Sequence, residues 1–227
     1  MVFFETLRGG SAVDTIRITP RTAFAGTLDG TGGIDRLDYS NYTAAVEVNL
    51  AQGTATGIGG VSGVEDITGG DGNDFLVGNA ANNVIAGGKG DDVILGWSGN
   101  DSIGGSAGRD LVVGGSGSDV VHGNNLEDIL VGGTLTYANE STGTINRTAL
   151  NAIMAEWTRT DMVFILRVLH LNGTLSGGLN GIFVLNATTA EDDNVVDTLF
   201  GDASQDWFLS GNNDIVNLNG GDFVTGV

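Results

Sequence analysis

Gly69–Val131 reads GGDGNDFLV, GNAANNVIA, GGKGDDVIL, GWSGNDSIG, GSAGRDLVV, GGSGSDVVH and GNNLEDILV, nine-residue units that hold register without an insertion. Position 6 is Asp74, Asn83, Asp92, Asp101, Asp110, Asp119 and Asp128, and position 8 is Leu76, Ile85, Ile94, Ile103, Val112, Val121 and Leu130. Two such columns at a fixed period mark a repeat architecture. Within a unit, glycine at positions 1, 2 and 4 permits a tight turn with positive φ, and the last three residues are β-formers. Each unit is therefore a turn followed by a short strand. Two units return the chain to its starting edge, so residues 18 apart in the frame stack and the position-6 carboxylates line up one above another. Stacked carboxylates repel unless a cation lies between them, and a donor set of carboxylates and carbonyls without His or Cys selects calcium over zinc or copper.

Composition agrees. The chain has 227 residues, 39 of them Gly and one Pro, with 28 Asp and Glu against 9 Lys and Arg, a net charge of −19. That length fits one domain or one repeat array, and that charge excludes a nucleic-acid binder held by phosphate neutralisation. At 41% hydrophobic residues the acid must coexist with a buried core. There is no Cys, which excludes disulfides, thiolate metal sites and cysteine nucleophiles. Met1–Gly10 lacks the apolar core of ~7–15 residues that a signal peptide needs, and the longest apolar run, Met162–Leu166, falls far short of the ~20 that span a bilayer. The expectation is a soluble protein without a membrane span.

The iterated unit resembles the RTX, or hemolysin-type, calcium-binding nonapeptide G-G-x-G-x-D-x-U-x, with U a large apolar residue. The resemblance implies a mainly β fold, a parallel β-roll, with each ion between stacked turns. One turn would give its position-2 and position-4 carbonyls and position-6 Asp, and the turn above its position-1 and position-3 carbonyls and Asp. Carried over, one edge uses Gly70, Gly72 and Asp74 with Gly87, Lys89 and Asp92, then Gly88, Gly90 and Asp92 with Gly105, Ala107 and Asp110. A third set is Ser106, Gly108 and Asp110 with Gly123, Asn125 and Asp128, and the opposite edge offers Trp97, Gly99 and Asp101 with Gly114, Ser116 and Asp119. Asn83 is neutral where the pattern has Asp, and the Gly123–Leu126 turn lacks Gly at positions 2 and 4. Roughly four to six calcium ions are expected.

Gly30–Asp38 fits the nonapeptide and Gly9–Arg17 fits it except at Ala12, so residues 1–59 read as lead-in coils, 60–135 as the calcium roll, 136–190 as a helical insertion and 191–227 as returning coils and tail. The returning units read Asp192–Phe200 and Gly201–Leu209, with Asp197 and Asp206 at position 6. Alternation within strands points position 8 inward and positions 7 and 9 outward. One sheet thus presents Phe75, Val77, Val93, Leu95, Leu111, Val113, Ile129 and Val131 on its outer face. Covering such a ladder is worth on the order of ten kcal/mol. The insertion supplies the cover: Leu150, Ile153, Met154 and Trp157 recur at helical spacing, predicting helices over 147–158 and 161–171, the second capped by Asp161 and ended by Gly173.

Gly104–Gly108 matches G-x-S-x-G, yet Ser106 sits at position 2 of a turn in register with its neighbours rather than on a strand-to-helix elbow. With no H-E-x-x-H either, the chain reads as a non-enzyme. The leading expectation is a structural or adhesive calcium-binding protein, extracellular or at the cell surface, with type I secretion implied by the resemblance. Its roll folds on calcium and self-assembles through the roll ends, where Val2–Phe4 and Phe223–Val224 are apolar, or through the apolar face. The alternative is a calcium-dependent folding and secretion module of a larger adhesin or secreted enzyme.

Overall fold

The computed structural model describes residues 6–20 and 24–227. Two sheets of mainly parallel strands face each other along its length, one of eleven strands and one of eight, the larger with antiparallel pairs only around Thr54–Ala55. Through the repeats the chain passes from one to the other at each turn, as the alternation of units demands. Across the repeats the register is the expected 18: Ile85 pairs with Ile103 and Ile103 with Val121 in one sheet, Ile94 with Val112 and Val112 with Leu130 in the other. Lead-in coils join the same sheets through larger loops, with Ile16 against Leu37 and Leu37 against Ile67. Beyond the insertion the register resumes, Val121 against Leu199 and Leu130 against Phe208.

Position 8 forms the inner core. Leu37, Leu76, Val112, Val121, Leu130, Leu199 and Phe208 are fully buried in one cluster between the sheets. A second cluster forms on the outer face of the eleven-stranded sheet, as the apolar ladder predicts. Helices α1 (Arg147–Trp157) and α2 (Phe164–Leu171) lay Leu150, Ile153, Trp157, Phe164, Val168 and Leu171 on Phe75, Val93, Leu111, Val113, Ile129 and Val131. The covered face is therefore not a surface through which this chain, so folded, can self-associate. Arg147 stacks its guanidinium 3.3 Å from the Phe75 ring centre, and Trp157 donates its indole N–H to Glu127 O at 3.0 Å. Phe223 and Val227, at the other end of the chain, also pack on this cluster, while Val2–Phe4 lie outside the described residues.

Three local expectations change. Asp161 does not cap α2: the helix starts at Phe164 behind Val163 with no side-chain cap, and Asp161 pairs instead with Arg159 at 2.8 Å. Gly173 does follow the helix end, at φ +84°. Position 1 does not take positive φ. The left-handed residues are at positions 2 and 4, Gly88 and Gly90, Trp97 and Gly99, Ser106 and Gly108, Asn124 and Leu126. Position 1 is glycine for want of space: a Cβ on Gly87 would lie 2.3 Å from Asp92 Oδ2 and 2.5 Å from Gly105 O.

The third change concerns where the repeat resumes. A Cβ on Gly132 would lie 2.7 Å from Asp197 Oδ2, the relation Gly114 bears to Asp119 at 2.5 Å. Asp197 therefore closes a turn begun at Gly132–Gly133, not one begun at Asp192. The insertion splits a single nonapeptide, and its neck is the antiparallel pair Thr134–Leu135 and Ala190–Glu191.

Candidate metal centres

Each position-6 side chain reaches down its edge to the backbone of the preceding coil. Asp92 Oδ1 accepts from Asp74 N–H at 2.7 Å, and Asp110 and Asp128 repeat the bond to Asp92 and Asp110 at 2.8 Å. The opposite edge does the same, Asp101 accepting from Asn83 N–H and Asp119 from Asp101 N–H, both at 2.8 Å. This uses one oxygen of each carboxylate. The other, Oδ2, is buried without a hydrogen-bond partner in Asp92, Asp101, Asp110, Asp119, Asp128 and Asp206. A buried carboxylate oxygen left unpaired costs free energy that only a proton or a cation can recover.

The carbonyls of the predicted sets converge on the same layer. Those of positions 2 and 4 point toward the coil above, Gly70 O lying 2.1 Å from a Cβ position on Gly88 and Gly72 O 2.5 Å from one on Gly90. On the opposite edge Trp97 O and Gly99 O stand 1.9 and 1.8 Å from Cβ positions on Gly115 and Gly117. Position-1 carbonyls point down: Gly105 O meets the Asp92 Oδ2 layer, and Gly114 O and Asp101 Oδ2 lie 2.3 and 2.5 Å from a Cβ position on Gly96. Position-3 carbonyls point down as well and accept ladder bonds, Ala107 O from Gly90 N–H and Ser116 O from Gly99 N–H, both at 2.9 Å. Every gap so built offers hard oxygens with at most two side-chain carboxylates. Among the described residues no three His, Cys, Asp or Glu side chains gather as a metal cluster. The donors fit a large hard cation held mainly by carbonyls.

The turns are not equal. Asp74 Oδ2 accepts from Gly70 N–H at 2.6 Å, so the lowest set already has a partner for that oxygen. Lys89, which contributes only its carbonyl to that set, sends its ammonium outward to Asp71 at 3.0 Å. Asn83 satisfies itself, donating Nδ2 to Glu65 O at 2.6 Å and accepting from Asn79 N–H at 2.9 Å. Its amide supplies the donor that a carboxylate there would lack. In the third set Asn125 Nδ2 donates to Ser106 O at 3.1 Å, and Asn124 and Leu126 hold positive φ without glycine. Gly123 keeps the close approach, its Cβ position 2.4 Å from Asp128 Oδ2.

Electrostatics repeats the point. Burial, with neighbouring carboxylates adding to it, pushes Asp92 up to about 9 and Asp128 up to about 10. Burial likewise pushes Asp101, Asp110, Asp119, Asp197 and Asp206 up to about 7, and raises Asp74. At neutral pH carboxyls raised in this way stay ionised only beside a compensating positive charge and otherwise hold a proton.

Residues 68–103 and 104–134 each match the family model of the RTX calcium-binding nonapeptide repeat, a model that spans four copies of the unit. These turns are RTX repeats. RTX repeats bind calcium, and here they form a parallel β-roll. The repeat region is 39% identical over 64 residues to a serralysin of Photorhabdus laumondii and 38% identical over 63 residues to the metallopeptidase AprA of Pseudomonas marginalis. Serralysin G of Dickeya chrysanthemi is also 38% identical over 63 residues. Each alignment takes in 24% of this chain and 13% of the relative, so the shared stretch spans about an eighth of those proteins and excludes their catalytic domains. Among the described residues no helix is long and apolar enough to cross a membrane.

Sequence reading missed Asp193 and Glu140, and it placed Gly132 in the glycine period without pairing it with Asp197. Asp193 Oδ2 accepts from Gly117 N–H at 2.8 Å, and Glu140 Oε2 accepts from Ser98 and Ser116 hydroxyls at 2.7 and 3.2 Å. Asp193 and Glu140 belong to the two arms of the insertion, and only the fold brings them to the Asp101–Asp119 edge. Ser106 lies in a turn of the eight-stranded sheet, and on the same sheet His122 Nδ1 contacts Asp202 at 2.9 Å while its ring stacks on Phe200.

Proposed function

We propose that this chain is the calcium-dependent folding scaffold of a secreted protein, exported unfolded by the type I route and folded outside the cell. The observation that carries the reading is the row of buried, unpartnered Oδ2 atoms at Asp92, Asp101, Asp110, Asp119 and Asp128. Bound calcium, four to six ions on both edges, supplies the positive charge those oxygens lack. About five ions would bring the net charge from −19 to about −9. The chain's own part is to hold the carbonyls of positions 1 to 4 and one carboxylate per turn at fixed spacing, which the close-approach glycine and the Oδ1 ladder do. Cytosolic calcium is too scarce to fill the sites, so folding waits for export. Circular dichroism with a chelator and then with millimolar calcium tests this. At neutral pH strand signal should appear only with calcium, and a chain fully folded there in chelator overturns the reading.

A second reading, an extracellular filament or surface layer, is favoured by the outermost strands. Among the described residues Thr6–Arg8 and Phe223–Gly226 have a sheet neighbour on one side only. Light scattering with calcium added and then chelated separates the two, since a large reversible mass supports assembly and a monomer leaves the scaffold of a larger adhesin or enzyme.

A further inference from the structure

At the turn that the insertion splits, the roll and both arms of its helical cover meet at a buried carboxylate, and the inference rests on the calcium reading above. Below the gap lies the turn Gly114–Asp119. Its Asp119 is 1% exposed, and Asp119 Oδ2 has no hydrogen-bond partner. That oxygen and Gly132 O both lie 2.5 Å from a Cβ position on Gly114, so the unpartnered carboxylate and the first carbonyl of the split turn face one space. Above the gap Asp197 continues the edge, accepting from Asp119 N–H through Oδ1 at 2.8 Å.

One donor differs from every neighbouring turn. In intact turns the position-4 N–H donates to the position-3 carbonyl of the coil above, Gly90 to Ala107 and Gly99 to Ser116. Gly117 N–H instead donates to Asp193 Oδ2 at 2.8 Å. The slot of a neutral carbonyl is filled by a carboxylate that arrives from the far arm of the insertion, while Gly132 arrives from the near arm. Affinity for calcium rises with the charge of the ligand set.

We propose that Asp119, Gly132 and Asp197 form a calcium site that Asp193, seated on Gly117 N–H, completes only when both arms of the insertion meet, so that this ion latches the helical cover to the roll. Filling it would fix the neck and, through it, α1 and α2. Calcium would then set the order of the helices as well as of the coils.

The test compares wild type with Asp193→Asn, which keeps an oxygen for Gly117 N–H and removes the charge. Calcium stoichiometry and affinity are read by calorimetry, and amide exchange in α1 and α2 is followed as calcium is raised. Expected for the variant is a loss of one ion, or an affinity for it reduced about tenfold or more, with helix protection shifted to correspondingly higher calcium. Asp92→Asn, on the other edge, should cost an ion without shifting helix protection relative to the strands. Wild-type stoichiometry and wild-type helix protection in Asp193→Asn overturn the latch while leaving the calcium scaffold intact. A wild type that binds no calcium overturns both. If Asp193→Asn does not fold, the wild type alone decides: helices protected at calcium levels too low to fill all the ions but one refute the latch.

Discussion

Asp128 and Asp206 are 78 residues apart in sequence, yet Asp128 N–H donates to Asp206 Oδ1 at 2.8 Å, the bond that Asp110 N–H makes to Asp128 only 18 residues away. Asp119 and Asp197 repeat the relation on the other edge with the same separation of 78. The excess is the same on both edges because all of it enters within one turn. The roll is thus continuous beneath its insertion, and the insertion is a graft on a surface rather than a break between two rolls.

Removing residues 135–194 would therefore join Thr134 to Val195 and give Gly-Gly-Thr-Val-Val-Asp-Thr-Leu-Phe, a nonapeptide in register. Position 4 needs positive φ, which a β-branched residue resists, so the deletion should carry Val195→Gly. Such a chain should still bind calcium and show strand structure, but it bares Leu111, Val113, Ile129 and Val131, all buried by the helices in the intact chain. Light scattering should find it dimeric or aggregated where the parent of the same concentration is not. A monomeric, soluble deletion would mean that the helices are not needed to cover that face.

Glycine positions should separate by cause. Gly105→Ala places a methyl 2.3 Å from Asp110 Oδ2 and should cost about 1–3 kcal/mol or more in calcium, by overpacking in a site that cannot widen. Leu126 is half exposed and sits at φ +71°, so Leu126→Asn should relieve left-handed strain and stabilise by about 1 kcal/mol. Denaturant melts in saturating calcium measure both, and equal effects of the two changes would show that position 1 is not a close approach.

How much of this was legible follows from the period. The columns at Asp92 and Ile94 fix turn, strand, stacking distance and both cores, because a strict nine-residue repeat leaves one register. The ladder Phe75–Val131 announced its own cover, since alternate strands share a face. What the period could not carry lies where it stops. Asp193 takes a carbonyl's place through contact across the neck, and Gly132 and Asp197 look unrelated until the neck closes. Asp161 was misjudged for a different reason, its pairing with Arg159 outcompeting a cap at an exposed helix end. Trp97 reads as a mere turn residue, but its ring is buried against the insertion near Leu135 and Ala138.

Acid should act on the two parts of the metal-free chain with opposite sign. In the roll the folded-state pKa of Asp92 is pushed up to about 9 and that of Asp110 to about 7 by burial, above an unfolded value of 3.8. A group raised in this way stabilises the fold fully below its unfolded pKa, and that contribution is lost as pH rises through its folded pKa. Without calcium the coils should therefore gain stability as pH falls from about 9 toward about 4. Glu156 in α1 goes the other way. Burial raises it, but hydrogen bonds from His170, Leu179 N–H and Arg159 outweigh burial and hold it below its ordinary value. Its contribution is present above the unfolded pKa of 4.5 and is lost as pH falls through the folded one. Amide exchange in chelator, at pH 8 and again near pH 5, should show the strands of Val93–Ser98 and Leu111–Ser116 better protected at the lower pH once corrected for intrinsic rates. On further acidification, below the range in which the coils gain, α1 and α2 should loosen first. With calcium bound the strand response should flatten, because the ion already supplies what the proton did. Strands that lose protection on acidification in chelator would show that these carboxylates are not held unpaired in the metal-free fold.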